Sequence, residues 1–478
     1  MEIEKEILSL NPDELETDEK TKALIRKILD LLEQVLKENA ELREENQKLK
    51  DEIRRLKGQP RRPRILPNTE AESNKKNENW MDAEKKDWAK DSKLQQVKID
   101  RTEKIPVDKK KLPKDAVHKG YRSLTVQDLK FETDNIRFLL ERYYSPSQKK
   151  TFEGELPKWV DGGYGPNVKA FIMNLYFHGR VTEWKIATLL NEMGVVISEG
   201  EVSNIITKSG QKEFSKERDD IFEAGLESTT YLHTDDTGAR HKGVTNHVMV
   251  VCTALFAVFF INRYKNRETV KDVFGLKFDE LLKKILISDN ARQFWLVAYI
   301  QALCWVHEIR HYKNLEPWLK CNRGALEKFR VEMRGFWHLL KDYQLHPSRG
   351  RKKHVLKEFD RIFTITTGYA DLDERIKSTF AEKEKLLVVL DHPEIPLDNN
   401  EAERSLREFV VKRLISHGTR SDDGKVALEN MMTILDTCRK NGVSFYHYVK
   451  DIFSKEYDMP RLAELILQNS RLTATTSY

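Results

Sequence analysis

The chain has 478 residues, enough for roughly two to four domains, and 33% of them are charged for a net charge of only +6. Such mild basicity places any nucleic-acid binding on local basic patches and not on bulk charge. The scattered cysteines Cys252, Cys304, Cys321 and Cys438, with no CxxC pair, argue against a disulfide framework and a cysteine-only zinc site, and without a leader-like start or a membrane-length apolar run the expectation is a soluble, intracellular protein.

Residues 20–57 carry a heptad pattern. Ile28, Val35, Leu42, Leu49 and Leu56 form a d column; Ile25, Leu32, Asn39, Asn46 and Ile53 form the a column. Asparagine at a costs stability but favours parallel dimers in one register. Glu38, Glu45 and Glu52 at g would face Arg43, Lys50 and Lys57 at e of a partner helix. A self-associating parallel coiled coil is therefore predicted over 1–58, and leucines at 24, 29, 31 and 36 leave a larger bundle open at its N-terminal end.

After "GQPRRPR", the stretch 59–119 is rich in Lys, Asp, Glu and Asn without an apolar period, and reads as a charged linker. Its basic run could touch DNA phosphates or serve as a solvated hinge. Over 120–156, alternation with intervening turn residues predicts a small sheet within a domain spanning 120–160. Residues 161–225 read as helical. In "KIATLLNEMGVVISEGEVSNIITK" two helices flank Gly194, and Ser198 with Glu201 makes a capping box for the second. Val202, Ile205 and Ile206 would pack inward, leaving Glu199, Ser203, Asn204 and Lys208 outward. The unit resembles a helix-turn-helix with a slightly long turn, or an ordinary helical hairpin.

From 226 to 307 the pattern turns β-rich. "TTYLHTDD" reads as a short strand ending in acids, "NHVMVVCTALFAVFFINRY" as two strands, "RETVKDVFGLKFDELLKK" as a helix, and "ILISD" and "YIQALCWVH" as further strands. A mixed α/β sheet is predicted. Residues 308–395 read as helices, with Trp318, Phe329 and Trp337 assigned to their core. "PLDNNEAERSLREF" then starts another helix, with Asp398 or Asn399 as N-cap. At 100° per residue, Glu403 lies roughly 75° from the centre of the Ala402/Leu406/Phe409/Val410 face, and Glu401 roughly 125° away on the other side. Glu403 should flank the buried face with Arg407 one turn on, while Glu401 should point to solvent. Two aspartates from strand ends and a glutamate from a later helix could bind two divalent cations for phosphoryl transfer, magnesium being suited to all-carboxylate ligands. Strand alternation alone does not separate Asp235 from Asp236.

Taken in order, "LHTDDTGAR", "ISDNARQFW", "LCWVH", "PLDNNEAERSLREFVVKR" and "SHGTRSDDGKVALENMMTILDTCRKNGVSFYHYV" resemble segments of the insertion-sequence-66-type (TnpC-like) DDE transposases. The zipper-like start and "YGPNVKAFIMNLYFHGRVTEWKIATLLNEMGVVIS" resemble them too, so the likeness covers most of the chain. It implies an α/β catalytic core, a ribonuclease-H-like mixed sheet, over 226–307 and 396–420, with a helical insertion at 308–395 and C-terminal helices at 421–478. It implies catalytic, metal-binding acids at Asp235, Asp289 and Glu403, holding Mg2+ or Mn2+, two per site. Cys304-x-x-His307 matches the signature at the start of the insertion, for which a structural or DNA-proximal role is expected. The implied partners are double-stranded DNA, both element ends and target, and a second copy of the chain. Lys412, Arg413 and Arg420, with Arg407, could meet phosphates near the acids, and Ser203, Asn204 and Lys208 could read the ends. The implied activity is strand cleavage and 3′-OH transfer in a bacterial cytoplasm, at the nucleoid; an inactive DNA-binding dimer is the alternative. The chain departs from many such relatives in having no cysteine before Cys252, where they carry a zinc-binding module.

Overall fold

The computed structural model describes residues 10–15, 17–56, 99–107 and 121–475. By its contacts the chain forms two units, one of residues 62–135 and one of residues 1–61 with 136–478. In the first, the described residues 99–107 and 121–135 adopt no helix or strand. Most of the linker expected over 59–119 lies outside the described residues.

The second unit opens with one continuous helix, α1 (Glu19–Leu56). Asp18 caps it by accepting the Thr21 N–H at 2.7 Å. One face of α1 docks on the 308–395 segment of the same chain. Leu29 is buried there beside Glu33, which accepts the Trp318 N–H at 2.6 Å and the Asn322 amide at 2.7 Å. Asp30 takes the Ala370 N–H and Lys37 pairs with Asp371 at 2.7 Å. The heptad column looks away from this contact: Ile28, Val35, Leu42 and Leu49 are 51–56% exposed. Asn39 and Asn46 meanwhile donate back to the Val35 and Leu42 carbonyls of their own helix.

The sheet expected over 120–156 is reduced to one hairpin, β1 (Arg142–Ser145) with β2 (Lys150–Glu153), whose side chains are mostly exposed. A two-stranded ribbon with little apolar cover has few means to recruit further strands. The helical region follows: α2 (Pro166–Met173), a π turn over Asn174–His178, α3 (Glu183–Glu192), α4 (Glu199–Thr207) and α5 (Gln211–Glu227). Ser198 accepts the Glu201 N–H at 3.2 Å, the forward half of the expected capping box. Val202, Ile205 and Ile206 are buried, as the spacing required.

Five strands make the central sheet: β3 (Tyr231–His241), β4 (Val244–Cys252), β5 (Ala257–Asn262), β6 (Leu282–Ser288) and β7 (Ala298–Leu303), with α6 (Arg267–Val273) between β5 and β6. The order is β5-β4-β3-β6-β7. β3, β4 and β5 pair antiparallel, and β6 and β7 add parallel to β3. β3 does not stop at the acids: Thr237 to His241 continue the ladder against β4. α6 is shorter than the amphipathic pattern suggested, because the chain turns at Gly275 (φ +65°) and Leu282 already belongs to β6.

The insertion comprises α7 (Trp305–Lys313), α8 (Lys320–Leu345), α9 (Arg349–Phe363), α10 (Ala370–Ala381) and the short α11 (Lys383–Leu386). Trp305, Phe336, Phe359 and Phe363 pack ring against ring, with Phe329 against Phe363. Phe329 and Trp337 are core as expected, whereas Trp318 is partly exposed. The chain returns to the sheet through α12 (Asn400–Ser416) and closes with α13 (Asp422–Lys440), α14 (Phe445–Ser454) and α15 (Leu462–Thr475). α12 lies on β3 and β4, with Phe409 stacked on Phe259. α13 runs along the edge strand β5. Its Thr437, Thr433 and Glu429 side chains accept the N–H groups of Ala257, Phe259 and Ile261 at 3.3, 3.2 and 2.5 Å. Four helical residues rise about as far as two strand residues, so one helix face meets every second N–H and covers the edge.

Candidate active site

The register of the parallel pair decides which acids can meet. His233 of β3 lies opposite Ile287 of β6. Asp235 on β3 and Asp289, the residue just past the end of β6, each follow two residues later, and the Asp289 charge acts on Asp235. By the period-two alternation of β3, Asp236 falls on the face opposite Asp235. There it pairs with Lys265 at 2.8 Å and accepts from Gln293 at 3.4 Å. Asp235 accepts the Asp236 backbone N–H at 2.8 Å. Glu403, in the first turn of α12, adds its charge to the surroundings of Asp235.

The electrostatics follow from this grouping. Burial, reinforced by the like charges of Asp289, Asp236 and Glu403, pushes the Asp235 carboxyl up to about 7. Asp236 is also raised by burial, with Lys265 opposing. A buried carboxylate facing like charges is costly to ionise, and a divalent cation among them would remove that cost. The donor set is all oxygen, which suits Mg2+ or Mn2+, so the residues fit such an ion. Glu403 is presently held by His307 Nε2 at 3.4 Å and Arg310 at 3.5 Å. Among the described residues, the acidic trio whose oxygens all lie within 4.8 Å of one another is a different one, Asp451, Glu456 and Asp458. Asp451 there accepts the N–H groups of Asp458 and Met459 and so closes a turn.

Glu401 does not point to free solvent as helix geometry suggested. It pairs with Lys440 of α13 at 2.8 Å, and the Lys440 side chain is 6% exposed. Burial alone would raise the Glu401 carboxyl, but Lys440 outweighs it and holds the group below its ordinary value. Asn399 is the N-cap by position, yet its side chain makes no cap hydrogen bond; Asp398 instead accepts the Asn400 N–H at 3.0 Å. The two members of Cys304-x-x-His307 part company. His307 faces Glu403, while the buried Cys304 thiol accepts the Asn399 N–H at 3.1 Å. Burial pushes that thiol up to about 12, so it stays protonated and is a poor metal ligand.

The candidate DNA-contacting residues divide. Asn204, Lys208, Arg407 and Arg420 are exposed, and Ser203 is partly so. Lys412 is a correction: it is 2% exposed, donates to the Tyr176 carbonyl at 2.5 Å and sits 3.2 Å from the Tyr176 ring centroid. It anchors α12 on the π turn and has no route to a phosphate. Arg413 is partly buried and donates to the Gly238 carbonyl. Lys265, Gln293 and Arg310, which surround the acids, carry no distinguishing signal in sequence.

A mixed sheet with covering helices, bearing carboxylates on one strand, just past the end of its parallel neighbour and on a returning helix, defines an α/β protein with an acidic site. Its particular family follows from comparison: the pattern of the IS66 transposase family matches residues 161–427, and the chain belongs to that family. An uncharacterised protein of Sinorhizobium fredii, y4jO, is 40% identical over 167 residues, covering 35% of this chain and 51% of that protein. The chain thus spans about half the length of the curated relative it matches. Among the described residues no helix is long and apolar enough to cross a membrane.

Proposed function

We propose that the protein is a DNA transposase whose Asp235, Asp289 and Glu403 form a DDE site in a ribonuclease-H-like core. The observation that carries this reading is that the charges of Asp289 and Glu403 act on Asp235, while Lys265 occupies Asp236. The strand order, three antiparallel strands followed by two parallel ones, supports the core assignment. Divalent ions held by these acids would polarise the scissile phosphate and lower the cost of deprotonating the attacking oxygen. The chain's own residues fix the carboxylates on a rigid sheet and helix, and burial limits competing water. In the first reaction a water oxygen bonds to phosphorus and the P–O3′ bond breaks, freeing a 3′-OH. In the second that hydroxyl attacks a phosphodiester of target DNA and expels its O3′.

The exposed column of α1 suits a second copy of the chain, which would hold two element ends together. α3 and α4, read as a helix-turn-helix, would place Ser203, Asn204 and Lys208 against base edges and backbone, with Arg407 and Arg420 on phosphates nearer the acids. Such a protein acts at the nucleoid of a bacterial cytoplasm. The test is cleavage of the element's own terminal DNA with Mg2+ or Mn2+. Activity lost on Asp235→Asn or Glu403→Gln supports the proposal. Specific end binding by wild type without cleavage under any divalent ion would instead indicate an inactive DNA-binding dimer.

A further inference from the structure

Asn399 is fully buried, and its polar groups tie β3, Cys304 at the start of the insertion and the first turn of α12 together. Its side-chain amide donates to the Thr234 carbonyl at 2.9 Å. Its side-chain oxygen lies 2.9 Å from His233 Nδ1. Because the Asn399 amide nitrogen faces the Thr234 carbonyl, its oxygen is the acceptor opposite His233, and Nδ1 of that ring carries the proton. The Asn399 N–H donates to Cys304 Sγ at 3.1 Å, and the Cys304 N–H in turn donates to the Ser288 carbonyl at 3.1 Å. Finally, the Asn399 carbonyl accepts the Glu403 N–H at 3.2 Å.

Thr234 immediately precedes Asp235, and Ser288 immediately precedes Asp289. One side chain and one thiol therefore connect the peptides that carry all three acids. We infer that Asn399 is a positioning residue that sets the spacing of Asp235, Asp289 and Glu403, with Cys304 as its second anchor. The chemistry requires an amide. Aspartate would set a second acceptor against the Thr234 carbonyl, and serine would not reach both partners. The inference rests on the proposed metal-binding role of the three acids.

The test uses the full chain and Mn2+ itself, followed by electron paramagnetic resonance titration, alongside terminal-DNA cleavage and circular dichroism. Asn399→Asp should fold but bind Mn2+ about tenfold to a hundredfold more weakly, the usual cost of losing a group that orients metal ligands. Cleavage should fall with it at saturating DNA. Cys304→Ala, which removes only the thiol anchor, should weaken Mn2+ about tenfold or less and serves if Asn399→Asp does not fold. Asn400→Asp, next door at the helix start, should leave Mn2+ binding unchanged. A merely structural role would lower the melting temperature of these variants without moving Mn2+ affinity in the folded protein, and that result overturns the inference. If Asp235→Asn loses Mn2+ binding while Asn399→Asp and Cys304→Ala keep it, the positioning idea alone fails. If Asp235→Asn also binds as wild type does, the metal site is wrong and the inference falls with it.

Discussion

Glu401→Gln and Glu403→Gln, two positions apart on α12, should fail in opposite ways. The Glu401 carboxylate meets Lys440 at 2.8 Å, and the same ammonium donates to the Thr253 carbonyl at 2.8 Å. Glutamine keeps an acceptor but removes the charge, leaving a buried cation paired with neutral oxygens. Breaking a fully buried pair costs about 3–5 kcal/mol. Glu401 is 30% exposed, which screens the pair, so a loss of about 2 kcal/mol is expected. At about 2 °C per kcal/mol for a large domain, the melting temperature should fall by about 4 °C at pH 7. Glu401 titrates below its ordinary 4.5 when folded. Its stabilisation is therefore full above that value and lost as pH falls through the folded pKa. Wild type and Glu401→Gln should converge in acid. Glu403→Gln relieves like-charge repulsion around Asp235 and should melt at or slightly above the wild-type temperature while abolishing metal-dependent cleavage. Calorimetry at pH 7 and in acid, with cleavage assayed well below both melting points, separates the two. Undiminished stability of Glu401→Gln refutes the structural pair, and lost cleavage there with cleavage retained in Glu403→Gln refutes the site assignment.

In chelator, Asp235→Asn should stabilise the protein above neutral pH. The folded carboxyl is raised from 3.8 to about 7, so wild-type stability falls as pH rises through that window, by about 4 kcal/mol once the group is ionised; denaturant melts showing no pH-dependent difference between the two would refute this. Lys412→Met should leave DNA affinity and its salt dependence unchanged because the ammonium is buried, whereas Arg420→Ala should reduce the salt slope by about one; filter binding across salt concentrations checks both. Val35→Lys with Leu42→Lys should lower the oligomeric state by light scattering without disturbing the docking of α1, since that contact uses Leu29 and Glu33 on another face; an unchanged mass would show that the column is not the self-association surface.

Much of the sheet was legible because its strands are apolar runs bounded by turns. β5 lies within the apolar stretch that marks it, as do residues 246–252 of β4 and 285–288 of β6, whereas Leu282 to Lys284 read as the end of a helix. The second half of β3 was not, because Thr237, Gly238 and Arg240 carry no apolar signal and are strand only through pairing with His247 and Thr245 and their neighbours. The same limit worked in reverse over 120–156, where alternation was present but only one hairpin formed. α1 was legible as a helix with a heptad column. Its docking on the insertion was not, since Asp30, Glu33 and Lys37 look in sequence like ordinary solvated charges and acquire partners about three hundred positions away, such as Asn322 and Asp371.

The site shows the same division at closer range. Helical geometry put Glu403 beside the buried face because that depends only on α12 itself. It misplaced Glu401 because what covers Glu401 is Lys440 of another helix. Strand alternation left Asp235 and Asp236 equivalent; the register with β6 and the position of Lys265 separate them, and both are tertiary facts. Asn399 is the sharpest case. In sequence it is a good N-cap residue, and an N-cap side chain normally turns toward its own helix. Here Asp398 takes the local hydrogen bond, and that frees Asn399 to cross to Thr234 and His233, 165 and 166 positions earlier. A residue chosen only for capping would tolerate serine, threonine or aspartate. One that must donate to a carbonyl and accept from an imidazole at once would tolerate none of them. Substitution tolerance at Asn399, measured against the melting temperature and Mn2+ affinity together, therefore reads out which of the two demands the fold places on that position.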